Sequence, residues 1–175
     1  MARLPVMMDD NMFDVISNRI YESYPNACIL FIDSVSNSDL LHNYNQQREC
    51  IHELRGEVKE LQLFHGTDHY LIDIIAKEGF DPTKNKTAAY GYGTYFAKNA
   101  GYSQNYMRGN PNDITYMFLA DVLIGTLTTG MRRITTEKYQ FDNNVDSKIN
   151  PTIYTTPYRY GAYPKYIIAF HKNQK

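Results

Sequence analysis

The chain has 175 residues, and its 18 lysines and arginines nearly balance 19 aspartates and glutamates, which gives a formal net charge of −1. This length is typical of one domain that buries a core without disulfide or metal support, and Cys28 and Cys50 are too few for a disulfide framework or a structural zinc site. The balanced charge gives no support to nucleic-acid binding, and no apolar run is long enough to span a membrane. We therefore expect a soluble intracellular protein of the cytoplasm or the nucleus.

The first sixty residues predict a helix, a strand and a second helix. Apolar residues between Asp10 and Tyr21 recur at helical spacing, with Asp9 or Asp10 as the cap. The continuous apolar run from Cys28 to Ile32 predicts a buried strand. A cap cluster at 36–39 then opens a long polar helix that we expect to reach about Glu60.

The middle of the chain alternates short strands with helices. Residues 61–64 predict a strand, and residues 69–78 predict an amphipathic helix with Gly79 as its stop. A loop over 81–92 leads into a strand at 93–97, and a short helix is predicted over 99–107.

The last third of the chain is rich in strands. After a turn at 108–112 we predict a long strand over 114–127, a polar loop over 132–148, and strands at 153–156 and 165–171 around a turn at Gly161. Successive strands with helices gathered early predict an α+β fold with antiparallel sheets. No repeat or linker divides the chain, so we expect one domain over 1–175, with an N-terminal part (1–60) and a core (61–175).

Two motifs have the composition of a ligand site. Residues 64–67 place His65 at a strand end before Gly66, and a glycine there lets a ligand approach the backbone. Residues 90–97 place two glycines among three tyrosines, in a pattern that matches neither a dinucleotide fingerprint nor a P-loop. Taken alone, the first motif favours a strand end with a turn, whereas the second is equally a hairpin with aromatic flanks.

Other features of the sequence give little chemistry of their own. No nucleophile is visible, and the remaining histidines, His42, His52, His69 and His171, lack metal-ligand spacing and are interpreted as surface residues. The chain has 16 tyrosines and no tryptophan. Tyrosine suits a site that stacks a ring, although compositional drift gives the same count.

In combination, the motifs resemble the catalytic domain of the poly(ADP-ribose) polymerase family, the diphtheria-toxin-like ADP-ribosyltransferases. The strings that carry the resemblance, in order, are residues 63–67, 79–80, 90–97, 100–103, 122–125, 150–154 and 163–168. The resemblance runs from Leu61 to the C-terminus, and the first sixty residues fit more loosely. It implies the ADP-ribosyltransferase fold: two packed, mostly antiparallel sheets around an NAD cleft, with flanking helices near the N-terminus.

The resemblance also implies a mono-ADP-ribosyltransferase with NAD as co-substrate and no metal. It implies a triad of His65, Tyr95 and Ile153. The residues that it places at NAD are His65, Gly66, Thr67, Tyr90, Tyr95, Phe96, Ala97, Ser103 and Tyr106. The partners expected are protein acceptors, with the enzyme itself among the candidates, for a chain that we expect to be monomeric.

Individual roles follow from the same resemblance. Gly66 and Ser103 would hold the nicotinamide amide, and His65 would bond the ribose hydroxyls. Tyr95 and Tyr106 would flank the nicotinamide ring, with Tyr102 as a rival for the second position. Residues 81–90 match the donor loop that closes over NAD.

The third triad position separates the branches of the family. Polymerising members have a glutamate where this chain has Ile153, and isoleucine cannot accept a hydrogen bond, which indicates mono-ADP-ribosylation. Pro157 should end that strand early or place it at an edge, and a shift of one residue would turn Tyr154 toward the site instead. The alternatives are a silent NAD-binding or ADP-ribose-binding module, a polymerase, and transfer to nucleic-acid ends.

Overall fold

The computed structural model describes residues 1–8, 10–85, 89–130 and 141–171. The α-helices in these ranges are α1 (Asn11–Tyr21), α2 (Ser38–Arg55), α3 (Ile72–Glu78) and α4 (Ala100–Ser103). Short 3-10 helices cover His69–Leu71, Pro82–Lys84 and Gln104–Tyr106. The strands are β1 (Ala2–Val6), β2 (Cys28–Ser36), β3 (Lys59–Thr67), β4 (Thr94–Ala97), β5 (Ile114–Ile124), β6 (Leu127–Thr129), β7 (Asn143–Val145), β8 (Ile153–Thr156) and β9 (Ala162–His171).

The strands form a sheet with the order β1-β2-β9-β5-β3-β4-β8-β7-β6. All neighbouring pairs are antiparallel except β6 and β7, so the predicted α+β class with mostly antiparallel strands is confirmed. The two packed sheets that we expected are joined into one, because Phe64 of β3 pairs with Ala97 of β4. This is the one residue pair between β3 and β4 in the described ranges. We call this narrow junction the seam.

The N-terminal helices begin where their caps predict. Asp10 caps α1 by accepting a hydrogen bond from the Met12 N–H at 2.8 Å, while Asp9, the other candidate, lies outside the described residues. The α2 helix ends at Arg55 rather than near Glu60, because Gly56 adopts a left-handed φ of 76°. No helix in the described ranges is long and apolar enough to cross a membrane.

Several predicted boundaries are corrected by the structure. The helix predicted over 69–78 starts with a 3-10 turn before α3, and the one over 99–107 is α4 followed by a 3-10 turn. The strand predicted over 114–127 is divided between β5 and β6, and part of the predicted loop 132–148 is β7. Residues 131–140 of that loop lie outside the described residues. The β1 strand was not predicted.

The core divides into clusters on either side of the sheet. Along β5, Phe118 belongs to one cluster and its neighbour Met117 to another, as the alternation of a strand requires. The Phe118 cluster packs against α3 and includes Phe80 and Phe96. The Met117 cluster packs against α1 and includes Phe64. The seam therefore has packed side chains on both of its faces, which fixes the strands that carry the motif residues.

Candidate functional site

His65 and Tyr95 are brought together at the seam. The His65 Nδ1 atom lies 2.7 Å from the backbone carbonyl oxygen of Tyr95. The imidazole also packs against the rings of Phe80 and Phe96, with centroids 5.1 and 5.5 Å away. The histidine ring is thus held in one orientation by a strand carbonyl and two phenyl rings.

The contacts of His65 also decide its protonation. Burial lowers the pKa of the imidazole. The hydrogen bond to Tyr95 favours the charged form and opposes this shift, but burial has the larger effect. The ring is therefore neutral at pH 7. Since a carbonyl only accepts, the proton of the neutral ring sits on Nδ1, and Nε2 carries a lone pair. This geometry prepares Nε2 to accept a hydrogen bond.

Gly66 lies where α4 crosses β3. A Cβ atom at this position would lie 1.9 Å from the backbone oxygen of Ser103, so the close approach of the two segments requires glycine. Ser103, which is 2 % exposed, donates from its hydroxyl to the Phe64 carbonyl at 3.1 Å. The two residues expected to hold the same amide are therefore adjacent, and the Ser103 hydroxyl oxygen keeps a lone pair for a further donor.

Tyr95 organises the segment that precedes its own strand. Its hydroxyl accepts from the Tyr90 N–H at 2.8 Å and donates to the Gly91 carbonyl at 2.7 Å. Burial raises the pKa of Tyr95, and the hydrogen bond from Tyr90 opposes this rise. The Tyr90 ring lies 6.4 Å from the Tyr95 ring. Residues 86–88 of the expected donor loop lie outside the described residues.

Tyr102 and Tyr106 are neighbours. The two candidates for the second aromatic position beside the nicotinamide ring therefore lie together. Their hydroxyls are 3.0 Å apart, and their ring centroids are 5.5 Å apart. Burial is the largest cause that raises the pKa of Tyr102, followed by the hydrogen bond with Tyr106. Both rings are solvent-accessible, at 39 and 52 % exposure. A planar ligand can therefore reach either ring.

The register of β8 decides which residue shares a face with Tyr95. Ile153 pairs with Ala97 and Tyr154 with Phe96, so Ile153 lies on the Tyr95 side of the sheet and Tyr154 on the core side. The strand ends at Thr156, directly before Pro157, as the proline predicted. Of the two residues considered for the third triad position, it is therefore Ile153 that shares a face with Tyr95, and it is 4 % exposed.

The start of β8 is held by an aspartate that the sequence did not single out. Asp146 follows β7, and its Oδ1 accepts from the N–H groups of Thr152 and Ile153 at 2.9 and 3.0 Å. Its Oδ2 accepts from the Thr152 hydroxyl at 2.6 Å. Burial alone would raise the pKa of Asp146, but these hydrogen bonds outweigh it and lower the pKa. No sequence signal links Asp146 to Thr152, because the contact depends on how β7 and β8 pair.

The remaining expected site residues have little exposed surface. Phe96 and Ala97 are 1 and 2 % exposed, so they form the wall behind His65 and Tyr95. Thr67 is buried at the end of β3, opposite Tyr116. His69, interpreted as a surface residue, is instead partly buried, because its backbone bonds to Arg108 and its ring packs on Tyr70. In the described ranges, no three His, Cys, Asp or Glu side chains are grouped to hold a metal ion.

Comparison with known proteins gives the family. The family model described as "Poly(ADP-ribose) polymerase catalytic domain" matches residues 13–156. The chain is similar to human protein mono-ADP-ribosyltransferase PARP14, with 29 % identity over 95 % of this chain and 10 % of that protein. It is similar to mouse protein mono-ADP-ribosyltransferase PARP12, with 31 % identity over 82 % of this chain and 22 % of that protein.

A third relative comes from another organism. A probable poly [ADP-ribose] polymerase of Dictyostelium discoideum is 32 % identical over 90 % of this chain and 49 % of its own length. The chain thus spans less than half the length of each of these three relatives. Because the family model covers most of the sequence, including the residues at the seam, the chain belongs to the poly(ADP-ribose) polymerase catalytic-domain family.

Proposed function

We propose that this chain transfers one ADP-ribose unit from NAD to a protein side chain and releases nicotinamide. The observation that carries the proposal is the neutral His65 with its Nδ1 bonded to the Tyr95 carbonyl and its Nε2 open. The similarity to PARP14 and PARP12, both named protein mono-ADP-ribosyltransferases, supports it. Ile153 in place of the glutamate of polymerising members supports transfer of a single unit.

The groups available at the seam support the proposed NAD site. Within the described residues the only hydrogen bond of the His65 ring is the one at Nδ1, so Nε2 is available to a ribose hydroxyl. The Gly66 backbone and the Ser103 oxygen are the groups proposed for the nicotinamide amide. Tyr102 and Tyr106 present exposed rings against which a nicotinamide can pack, an interaction worth about 0.5–1.5 kcal/mol beyond area burial.

The chemistry requires positioning more than a protein nucleophile. The bond between the ribose C1′ and the nicotinamide nitrogen breaks, and nicotinamide leaves with the electron pair. An acceptor oxygen then bonds to C1′, and an acceptor carboxylate needs no base because it is already deprotonated. In this scheme His65 orients the ribose through Nε2, while Tyr95 shapes the cleft through its contacts with Tyr90 and Gly91.

Ile153 limits the product in this proposal. Its apolar side chain cannot polarise a hydroxyl of a ribose that is already attached, so chain elongation has no base at this position. Ile153→Glu alone is not expected to create a polymerase, because elongation also requires a surface that binds the growing chain. The acceptor proteins are proposed to include this chain itself.

Incubation with isotope-labelled NAD, followed by mass spectrometry of the intact protein and of added acceptors, tests the function. We expect a mass increase in steps of single ADP-ribose units, and we expect His65→Ala to abolish it while the circular dichroism spectrum stays unchanged. Absence of label on any protein, together with measurable NAD binding, would support the alternative of a silent binding module. Long ladders of product would instead indicate a polymerase.

A further inference from the structure

A row of polar side chains crosses the β4–β8–β7–β6 part of the sheet on the face that carries Tyr95. Thr155 of β8 pairs with Tyr95, and Asn144 of β7 pairs with Thr155. Thr128 of β6 pairs in turn with Asn144. Paired residues of neighbouring strands point to the same side of a sheet, so these side chains lie in one line. We call the line from Tyr95 to Thr128 the polar row.

The centre of the polar row is buried without hydrogen bonds to the protein. Asn144 and Thr155 are both 0 % exposed. Among the described residues, neither the oxygen nor the nitrogen of the Asn144 amide has a hydrogen-bond partner, and the Thr155 hydroxyl has none either. Each of these groups loses its contact with bulk water on folding and gains no bond in return, which is costly. Their concentration at one cross-strand pair therefore indicates a ligand that the pair binds.

The neighbouring Asn143 is a buried amide of the same strand with a structural role. It is equally buried, but it points to the opposite face, donates to the Leu123 carbonyl at 3.1 Å and accepts from the Gly125 N–H at 3.0 Å. Asn143 thus ties β7 to the end of β5. The Asn144 amide makes no such tie, so a structural bond within the protein does not explain why a polar residue is buried there.

A single water molecule fits the chemistry of Asn144 and Thr155. The amide offers an acceptor oxygen and two N–H donors, whereas the hydroxyl offers one donor and two acceptor positions. One hydroxyl cannot satisfy all the groups of the amide. A buried water both donates and accepts, and commonly makes about three hydrogen bonds to groups of this kind. The side chains of the polar row are uncharged at pH 7, so a buried ion would find no counter-charge in the row.

The polar row reaches the proposed NAD site through Tyr95. Burial is the largest cause that raises the pKa of Tyr95, and the Thr155 hydroxyl is among the groups that lower it, which places this hydroxyl beside the phenol. The same phenol bonds the backbone of Tyr90 and Gly91. A Cβ atom at Gly93 would lie 2.7 Å from the Thr155 methyl group, so the segment before β4 packs directly on Thr155. A group that fixes Thr155 therefore also supports Tyr95 and this segment.

We propose that Asn144 and Thr155 bind one ordered water molecule, and that this water fixes the Thr155 hydroxyl against the Tyr95 phenol. Asn144 is then a positioning residue, because it acts on the cleft through Thr155 and Tyr95 rather than by touching NAD. Loss of the water should let Tyr95 and the segment before β4 move, and so weaken NAD binding. The positioning role rests on the proposed function, whereas the water site can be tested in the chain without NAD.

A crystal structure of the whole chain in which ordered waters are visible tests the site directly. We expect a water at about 2.7–3.2 Å from both the Asn144 amide and the Thr155 Oγ1. An amide that bonds directly to the protein, or one with no water beside it, would overturn the proposal.

Urea denaturation tests the same site in solution. Thr155→Val keeps the shape of the side chain but removes the hydroxyl, so the unfolding equilibrium constant should rise at least roughly fivefold. Asn144→Leu should also destabilise the chain, and the double variant should lose less than the sum of the two single losses, because no polar partner is left behind. A gain of stability in Asn144→Leu would show that the amide is simply unpaired, and additive losses would contradict a shared ligand.

Calorimetric titration with NAD tests the positioning role. Thr155→Val should raise the Kd for NAD at least about threefold, whereas Thr155→Ser, which keeps the hydroxyl, should stay closer to the parent chain. Asn143→Ala is the matched control, because it loses buried hydrogen bonds on the opposite face and should lower stability without changing the Kd for NAD. An equal effect of Asn143→Ala and Thr155→Val on NAD binding would mean that general loosening acts, and would refute the role.

The two proposals fail in different ways. A water at Asn144 and Thr155 in a chain that transfers no ADP-ribose would keep the water site and refute the proposed function. Transfer with the same KM for NAD in Thr155→Val and the parent would refute the positioning role and keep the function.

Discussion

One hydrogen bond sets both the orientation and the proton location of His65. Because the Tyr95 carbonyl takes the Nδ1 proton, the imidazole works as an acceptor at Nε2 only while the ring is neutral. The two motifs at residues 64–67 and 90–97 predicted His65, Gly66 and Tyr95 as site residues, because each of these residues lies within a short recognisable string. The sequence could not predict Asp146, whose role depends on a pairing between two distant strands.

Activity and stability should both decrease as the pH becomes more acidic, because of His65. Its pKa in the folded protein is lowered by burial, so between the ordinary histidine value of 6.5 and the folded value the unfolded chain binds a proton that the folded chain does not. The stabilisation from a neutral His65 is therefore complete above pH 6.5 and is lost as the pH falls toward the folded pKa.

Urea denaturation at a series of pH values measures this effect. The acid-side decrease in the free energy of unfolding should be smaller in His65→Gln than in the parent chain. The kcat of the parent should fall with one ionisation below 6.5. Identical pH dependence of stability in both proteins would remove His65 as its source.

Gly66→Ala should destabilise the fold as well as the site. The added methyl group would meet the Ser103 backbone oxygen, so α4 must move away from β3 at a cost of about 1–3 kcal/mol. Gly109→Ala is the matched control, because its nearest neighbour would be 3.4 Å away, and it should change stability by less than about 1 kcal/mol. A Gly66→Ala protein with unchanged stability and NAD affinity would show that the approach of α4 to β3 is looser than the structure indicates.

At the scale of elements, the helices and strands with strong periodicity or clear caps were predicted from the sequence. The strands that depend on tertiary contacts were not. The α1 helix was predicted with Asp9 or Asp10 as its cap, and the end of β8 was predicted from Pro157. The β7 strand was missed because its Asn143 and Asn144 are polar yet fully buried, which no hydropathy pattern indicates. The β1 strand was missed because it is a short edge strand, and Pro5 is tolerated there.

Asp146 couples β7 to β8, and its removal should loosen the start of β8. Asp146→Ala leaves the N–H groups of Thr152 and Ile153 without their acceptor, which should cost about 1–3 kcal/mol of unfolding free energy. Thr152→Val removes only the hydroxyl contact and should cost about 1 kcal/mol. Hydrogen exchange of the Ile153 amide provides the readout, and it should accelerate in Asp146→Ala but little in Thr152→Val. Slow exchange in both variants would show that the strand start is held by pairing alone.

At the scale of the whole molecule, a buried ion pair ties α2 to the β6–β7 end of the sheet. Asp142 is completely buried, and its carboxylate accepts from Arg55 at 3.0 Å and from the Tyr158 hydroxyl at 2.8 Å. It also accepts from the Thr126 N–H at 2.7 Å. The contact spans 87 residues of sequence, so neither partner was predictable from local pattern.

Asp142→Ala should be among the more damaging single substitutions. It leaves the Thr126 N–H and the Tyr158 hydroxyl without this acceptor and removes the ion-pair partner of the partly exposed Arg55, which should cost about 3–5 kcal/mol of unfolding free energy. Tyr158→Phe, which removes one donor, should cost about 1 kcal/mol. Chemical denaturation compares the two variants, and a cost for Asp142→Ala as small as that for Tyr158→Phe would refute a structural role for the pair.

The seam has a consequence for how the protein tolerates change. The five strands from β1 to β3 in sheet order meet the four from β4 to β6 through one backbone pair among the described residues, Phe64 and Ala97. The core is nevertheless shared, because one cluster contains Phe96 and Tyr154 from the second group together with Phe118 from the first. Paired substitutions at these residues, one in each group, should therefore have coupled rather than additive effects on stability. The two groups of strands are therefore constrained together, so a change in the core of one group should be tolerated best with a compensating change in the other.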